Sequence, residues 1–125
     1  MIKFFLDLPI FKRLIPSIGI KLLKLLNKNK GYYKIKDILF YLDFLDPIDR
    51  KIILNKEYEQ DAVSFLEDQI LHHSIFNFLD IGANSGYFSF YLANKFKNLK
   101  VKAYEPNPEA FEKFKKTLIK NSFEN

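Results

Sequence analysis

The sequence predicts an α/β fold in which two parallel strands, joined through a helix, follow a smaller α+β cap. Three observations carry this. Residues 76–81 form a short apolar run containing the acid Asp80, and Gly82 and Gly86 then bracket a turn. An apolar stretch of helical length follows over 87–96, with Phe88, Leu92 and Phe96 spaced i, i+4, i+8. A second short strand over 99–104 ends at another acid, Glu105. Strand, glycine turn and helix in this order present backbone N–H groups to a ligand at the carboxyl end of a sheet.

The chain has 125 residues, room for one modest domain, and its 48% hydrophobic content is that of a folded protein. It has no cysteine, which excludes disulfides, cysteine-ligated zinc and a cysteine nucleophile, and fits a reducing cytoplasm. The two histidines, His72 and His73, are adjacent. On a helix they point about 100° apart, so they read as a polar helix end, and no metal site is expected.

Net charge is +5 but unevenly placed: residues 1–36 carry nine Lys/Arg against Asp7 alone, and the remainder carries eleven basic against fourteen acidic residues. The basic character belongs to a leader, residues 1–30. Pro9 and Pro16 break its first part, and Ser17 is placed to cap a helix over 18–27. There Ile18, Leu22, Leu25 and Leu26 share one face, with Lys21, Lys24 and Lys28 mostly opposite. The favoured reading is a helix packing its leucines on its own domain. Contact with a membrane surface is the secondary one. No nucleic-acid partner is expected. No run approaches the ~20 apolar residues of a membrane-spanning helix, and no signal-peptide cleavage site follows the leader.

Residues 31–74 form the expected cap. Residues 32–35 and 38–42 read as two strands around the two-residue turn Lys36-Asp37. Asp46-Pro47 opens a short helix over 48–54 by capping residue and first-turn proline. A longer helix over 57–71 places Tyr58, Ala62, Phe65, Leu66 and Ile70 on one stripe. Residues 75–125 form the α/β unit, with a boundary near Ser74-Ile75. Asn84 or Ser85 is placed to cap the helix after the glycine turn. Asn107-Pro108-Glu109 opens a final helix, whose apolar positions are Ala110, Phe111, Phe114 and Leu118. Lys113, Lys115, Lys116 and Lys120 are expected to face solvent.

Three ligand classes use such a turn. A phosphate-binding P-loop needs a lysine after the second glycine, and Tyr87 stands there. A dinucleotide site prefers Gly-x-Gly-x-x-Gly, and Gly82-Ala83-Asn84-Ser85-Gly86 lacks the glycine that lets pyrophosphate approach. The third class binds S-adenosylmethionine, which has no phosphate. An acid two residues before the first glycine suits its ammonium, the turn amides suit its carboxylate, and an acid ending the second strand suits its ribose diol. Gly82 and Glu105 lie 23 residues apart, near the roughly 20-residue offset of ribose-binding acids.

The string Phe-Leu-Asp-Ile-Gly-Ala-Asn-Ser-Gly-Tyr-Phe-Ser, followed by Ala-Tyr-Glu-Pro-Asn-Pro, resembles the start of an FkbM-type methyltransferase dependent on S-adenosylmethionine. Upstream, Leu-Asp-Phe-Leu-Asp-Pro-Ile-Asp and Tyr58-Glu59 are similar to the segment preceding the domain in that family. The similarity covers roughly residues 32–125. It implies methyl transfer, often to an oxygen of a sugar or small metabolite. By position, Asp80, Gly82, Asn84 and Gly86 belong to the cofactor loop: Asp80 toward the ammonium, the glycines keeping side chains clear. Glu105 takes the ribose hydroxyls, and Glu59 approaches the cofactor from the cap. The resemblance also implies a seven-stranded sheet, of which only two strands fall in this chain. The expectation is a truncated Rossmann-like methyltransferase fold with its acceptor and base regions missing and strand 76–81 an exposed apolar edge. Two other readings stand beside it: a nicotinamide oxidoreductase fragment, disfavoured by the glycine spacing, and a non-catalytic membrane-surface or interaction module.

Overall fold

The computed structural model describes residues 28–123, together with Gly19 and Leu25, both helical. The rest of the expected leader helix lies outside the described residues.

Strands β1 (Lys30–Ile35) and β2 (Ile38–Asp43) form an antiparallel hairpin in which Tyr32 faces Tyr41 and Ile35 faces Ile38. The turn is the expected Lys36-Asp37, with Lys36 left-handed at φ 53°. Strand alternation sends Ile35, Ile38, Phe40 and Leu42 inward. Helix α1 (Pro47–Asn55) is capped by Asp46, whose Oδ1 accepts from the amides of Ile48 (2.8 Å) and Asp49 (3.1 Å).

Helix α2 (Gln60–His72) starts later than its periodicity suggested, because Glu59 is left-handed at φ 49° and blocks helical continuation. Most of the expected stripe still turns inward, with Leu66 and Ile70 on the second core. Val63 and Ile70 are buried, whereas Phe65 is 62% exposed, a correction to the expected core. Glu67 shares the inward side and accepts a hydrogen bond from the Tyr91 hydroxyl at 2.5 Å.

Strands β3 (Asn77–Ile81) and β4 (Lys100–Tyr104) pair in parallel, Ile81 beside Tyr104, with α3 (Tyr87–Lys95) between them in the chain and α4 (Pro108–Lys120) after them. The molecule is thus a small α/β fold with one antiparallel pair and one parallel pair. One core joins Ile35, Phe40, Leu42, Ile52 and Val63 to Tyr87 and Phe90, so the hairpin and α3 share their interior. A second gathers Ile70, Leu92 and Leu99, with Phe78 and Val101 against it. One face of the parallel pair is bare: Leu79 is 54%, Ile81 78% and Tyr104 59% exposed. Phe76 is exposed as expected, but Phe78 turns into the second core.

Two expectations about helices are overturned. Neither Asn84 nor Ser85 caps α3: Gly86 takes that position at φ 88°, with no side-chain hydrogen bond to the first turn. Lys113 does not face solvent. It is 5% exposed, on an inward stripe with Ala110 and Thr117. That stripe closes the second edge of β2, where no third strand pairs among the described residues. Thr117 Oγ1 accepts from Tyr41 N (2.9 Å), and Asn121 accepts from Leu39 N (2.9 Å) and donates to its carbonyl (3.0 Å). Among the described residues, no helix is long and apolar enough to cross a membrane.

Candidate functional site

Two strand ends build the site. After β3 the chain bends at once, the amides of Gly82 (2.8 Å) and Ala83 (3.1 Å) both donating to the carbonyl of Tyr104, which ends β4. Gly82 has φ 80° and Asn84 φ 51°, a conformation open to glycine and tolerated by asparagine. After β4, Glu105 reaches back. Its Oε2 accepts from the amide of Asn84 at 2.7 Å, and its Oε1 accepts from the amide of Asn107 at 2.8 Å. One carboxylate therefore ties the glycine turn to the start of α4.

A cavity of about 560 Å³ opens at this end of the parallel pair, lined on one side by Gly82, Asn84 and Glu105. This is the crevice outside the carboxyl ends of the strands where α/β sheets take ligands, and its size suits a small molecule. The sequence-predicted residues divide here. Asp80 is not in the lining; its Oδ2 accepts from the Ser89 hydroxyl at 2.6 Å. Gly86 lies buried behind the turn, where a Cβ would collide with the Phe90 ring and stand 2.7 Å from Phe114. Glu59 lines a separate cavity of about 320 Å³ with Lys51 and Tyr58, away from the glycine turn. The structure does not bring it to the site.

The opposite wall was not foreseen. It comes from the end of the hairpin and from α4: Asp43, Leu45, Asp46, Asn107, Glu109, Ala110 and Lys113. Its one sequence signal is that Asp46 and Asn107 each read as a helix cap, so two helix N-termini meet at the cavity. Lys113 Nζ bridges Asp49 (2.5 Å) and Asp46 (3.2 Å). Burial pulls the Lys113 ammonium down, but its hydrogen bond to Asp49 and the attraction of both aspartates outweigh this and hold it above the usual lysine value. Burial pushes the Asp46 carboxyl up, yet the amide of Asp49 and the charge of Lys113 bring it below its ordinary value. For Asp49, wholly buried, burial prevails over Lys113 and the carboxyl is raised. At the rim Lys30 pairs with Glu109 at 2.5 Å, a hydrogen bond that raises the lysine.

These pairings satisfy Asp46 and Glu109, whereas Glu105 is held by amides and forms no ion pair with any described residue. Each of its oxygens keeps acceptor capacity beyond the single amide it receives. Such a cavity suits hydroxyls and positive charge and repels phosphate. Among the described residues, no group of three or more His, Cys, Asp or Glu is arranged to hold a metal ion.

No protein-family model, curated protein or solved structure matches the chain.

Proposed function

We propose that this chain carries the cofactor-binding part of a cytoplasmic methyltransferase of the FkbM type, built on a Rossmann-like fold. Its cofactor is S-adenosylmethionine, which supplies the methyl group, and its acceptor is a small molecule, a sugar or metabolite hydroxyl. One observation carries the reading: Glu105, at the tip of β4, and Gly82 and Asn84, in the turn after β3, line one cavity, with Glu105 bonded to the Asn84 amide. The donor set fits the ligand. Glu105 offers acceptor capacity to a ribose diol. A Cβ on Gly82 would meet nothing within 4 Å, so the turn is open on that side. The acidic wall favours a cationic ligand over a dinucleotide pyrophosphate, which weighs against the oxidoreductase reading. Asp80, turned to Ser89, supports the turn from behind.

Calorimetry with S-adenosylhomocysteine tests this. Saturable binding is expected, weakened about 10- to 100-fold by Glu105→Gln, because hydrogen bonds to a charged acceptor contribute about 1.5–3 kcal/mol. Circular dichroism of the variant separates a lost ligand contact from a lost fold. A cooperatively folded wild type that ignores S-adenosylhomocysteine but binds NAD overturns the reading.

A further inference from the structure

We propose that the outer face of the β1–β2 hairpin, with the adjoining turns of α4, is a docking surface for an anionic lipid bilayer. This surface lies apart from the cavity and stands independently of the methyl-transfer reading. Strand alternation turns Tyr32 and Lys34 outward on β1 and Tyr41 outward on β2, the tyrosines directly opposite each other. Their rings meet edge to face at 5.0 Å. Two lysines one turn apart on α4 lean over them, Lys116 Nζ at 4.2 Å from the Tyr41 ring centre and Lys120 Nζ at 5.5 Å from that of Tyr32. Neither lysine is in an ion pair with a described residue. Ile119, between them in the chain, is exposed. Lys30 lies on the same face but is neutralised by Glu109 and Asp43, and Lys34 has only a loose, exposed pairing with Asp37 at 3.7 Å.

The composition is that of a membrane–water interface: tyrosines with an apolar body and a polar tip, lysines with long apolar stems and a free charge. The sequence preceding β1, residues 1–29, has a matching composition: six Lys/Arg against one acid, with Phe4, Phe5, Leu22, Leu25 and Leu26 among them. A nucleic acid would answer the charge, but only a bilayer would also take up the apolar residues. Lysines near an anionic surface each contribute on the order of 1 kcal/mol, so a handful suffices for reversible attachment.

Flotation of the full chain tests this, using vesicles of phosphatidylcholine alone and of phosphatidylcholine and phosphatidylserine in equal parts. The chain is expected to float with the mixed vesicles only. Lys116→Glu with Lys120→Glu is expected to weaken partitioning about tenfold or more, and Lys116→Arg with Lys120→Arg to retain it. Both pairs sit on the exposed flank of α4, and unchanged melting of each confirms its fold. Equal flotation with neutral vesicles would assign the binding to the bare sheet face and overturn the proposal. So would an unchanged double-glutamate variant, or preferential binding to a single-stranded RNA competitor.

Discussion

Replacing Lys113 by Ala is expected to destabilise the chain by about 3–5 kcal/mol, the usual cost of stranding a buried charge. Asp49 is wholly buried, Lys113 Nζ lies 2.5 Å from its Oδ2, and its Oδ1 has no hydrogen-bond partner among the described residues. Without the lysine, that carboxylate must protonate or drag water inside. The same contact joins α1 to α4 on the far wall of the cavity, so its loss loosens that wall. Urea denaturation of the single variant should show the full loss. Lys113→Met combined with Asp49→Asn should recover most of it: the asparagine still accepts from the Asp43 amide, which now meets Asp49 Oδ2 at 3.0 Å, and the one charge left without its lysine, Asp46, is partly exposed and capped by two amides.

The pair also sets a pH dependence. Lys113 is raised above its ordinary 10.5, so its stabilisation is complete below that value and is lost as pH rises through the higher folded value. Asp46 is lowered from 3.8, so its contribution is present above that value and disappears as pH falls through the lower one. Asp49 is raised and acts oppositely in acid, gaining stability as it protonates, which blunts the acid limb. The alkaline limb should therefore be smaller in the methionine–asparagine double variant, the remainder coming from Lys30, Lys95, Tyr87 and Tyr91, which are also raised.

The second large effect is expected at Gly86. Gly86→Ala combines a left-handed φ of 88° with a Cβ driven into Phe90 and 2.7 Å from Phe114, whose rings pack at 4.5 Å. The conformational cost is about 1–2 kcal/mol, and forced repacking of two rings adds about 1–3 kcal/mol. Gly82→Ala is the control. Its φ of 80° carries the same strain, but its Cβ enters open space. It should cost about 1–2 kcal/mol and no more. Equal losses at the two glycines in thermal or urea melts would mean that Gly86 is not where α3 and α4 close on each other.

What could be read from the residues alone was what is decided locally. Asp46-Pro47 and Asn107-Pro108 were legible as helix starts because a capping side chain bonds amides two and three residues on. The hairpin turn and the strand–glycine–strand spacing were legible for the same reason. What failed depended on distant partners. Lys113 looked like one of four solvent lysines, because the aspartates that draw it inward lie 64 and 67 residues away. Phe65 looked like core because it is apolar and close to the stripe in sequence, but it stands about 140° around the helix from buried Ile70. The site was half visible. Gly82, Asn84 and Glu105 follow from chain order and line the cavity; Asp80 lies outside the lining, where Ser89, in the first turn of α3, donates to its Oδ2, a contact that chain order does not reveal. The acidic far wall was invisible because it belongs to the hairpin.

The most direct test of the site is an amide-resolved NMR titration of the isotope-labelled chain with S-adenosylhomocysteine. The account predicts shifts concentrated at Gly82, Ala83, Asn84 and Asn107, the backbone that Glu105 and the strand ends hold around the cavity. Shifts gathered instead around the separate cavity at Glu57 to Asp61, or a spectrum unmoved at ligand excess, would contradict it.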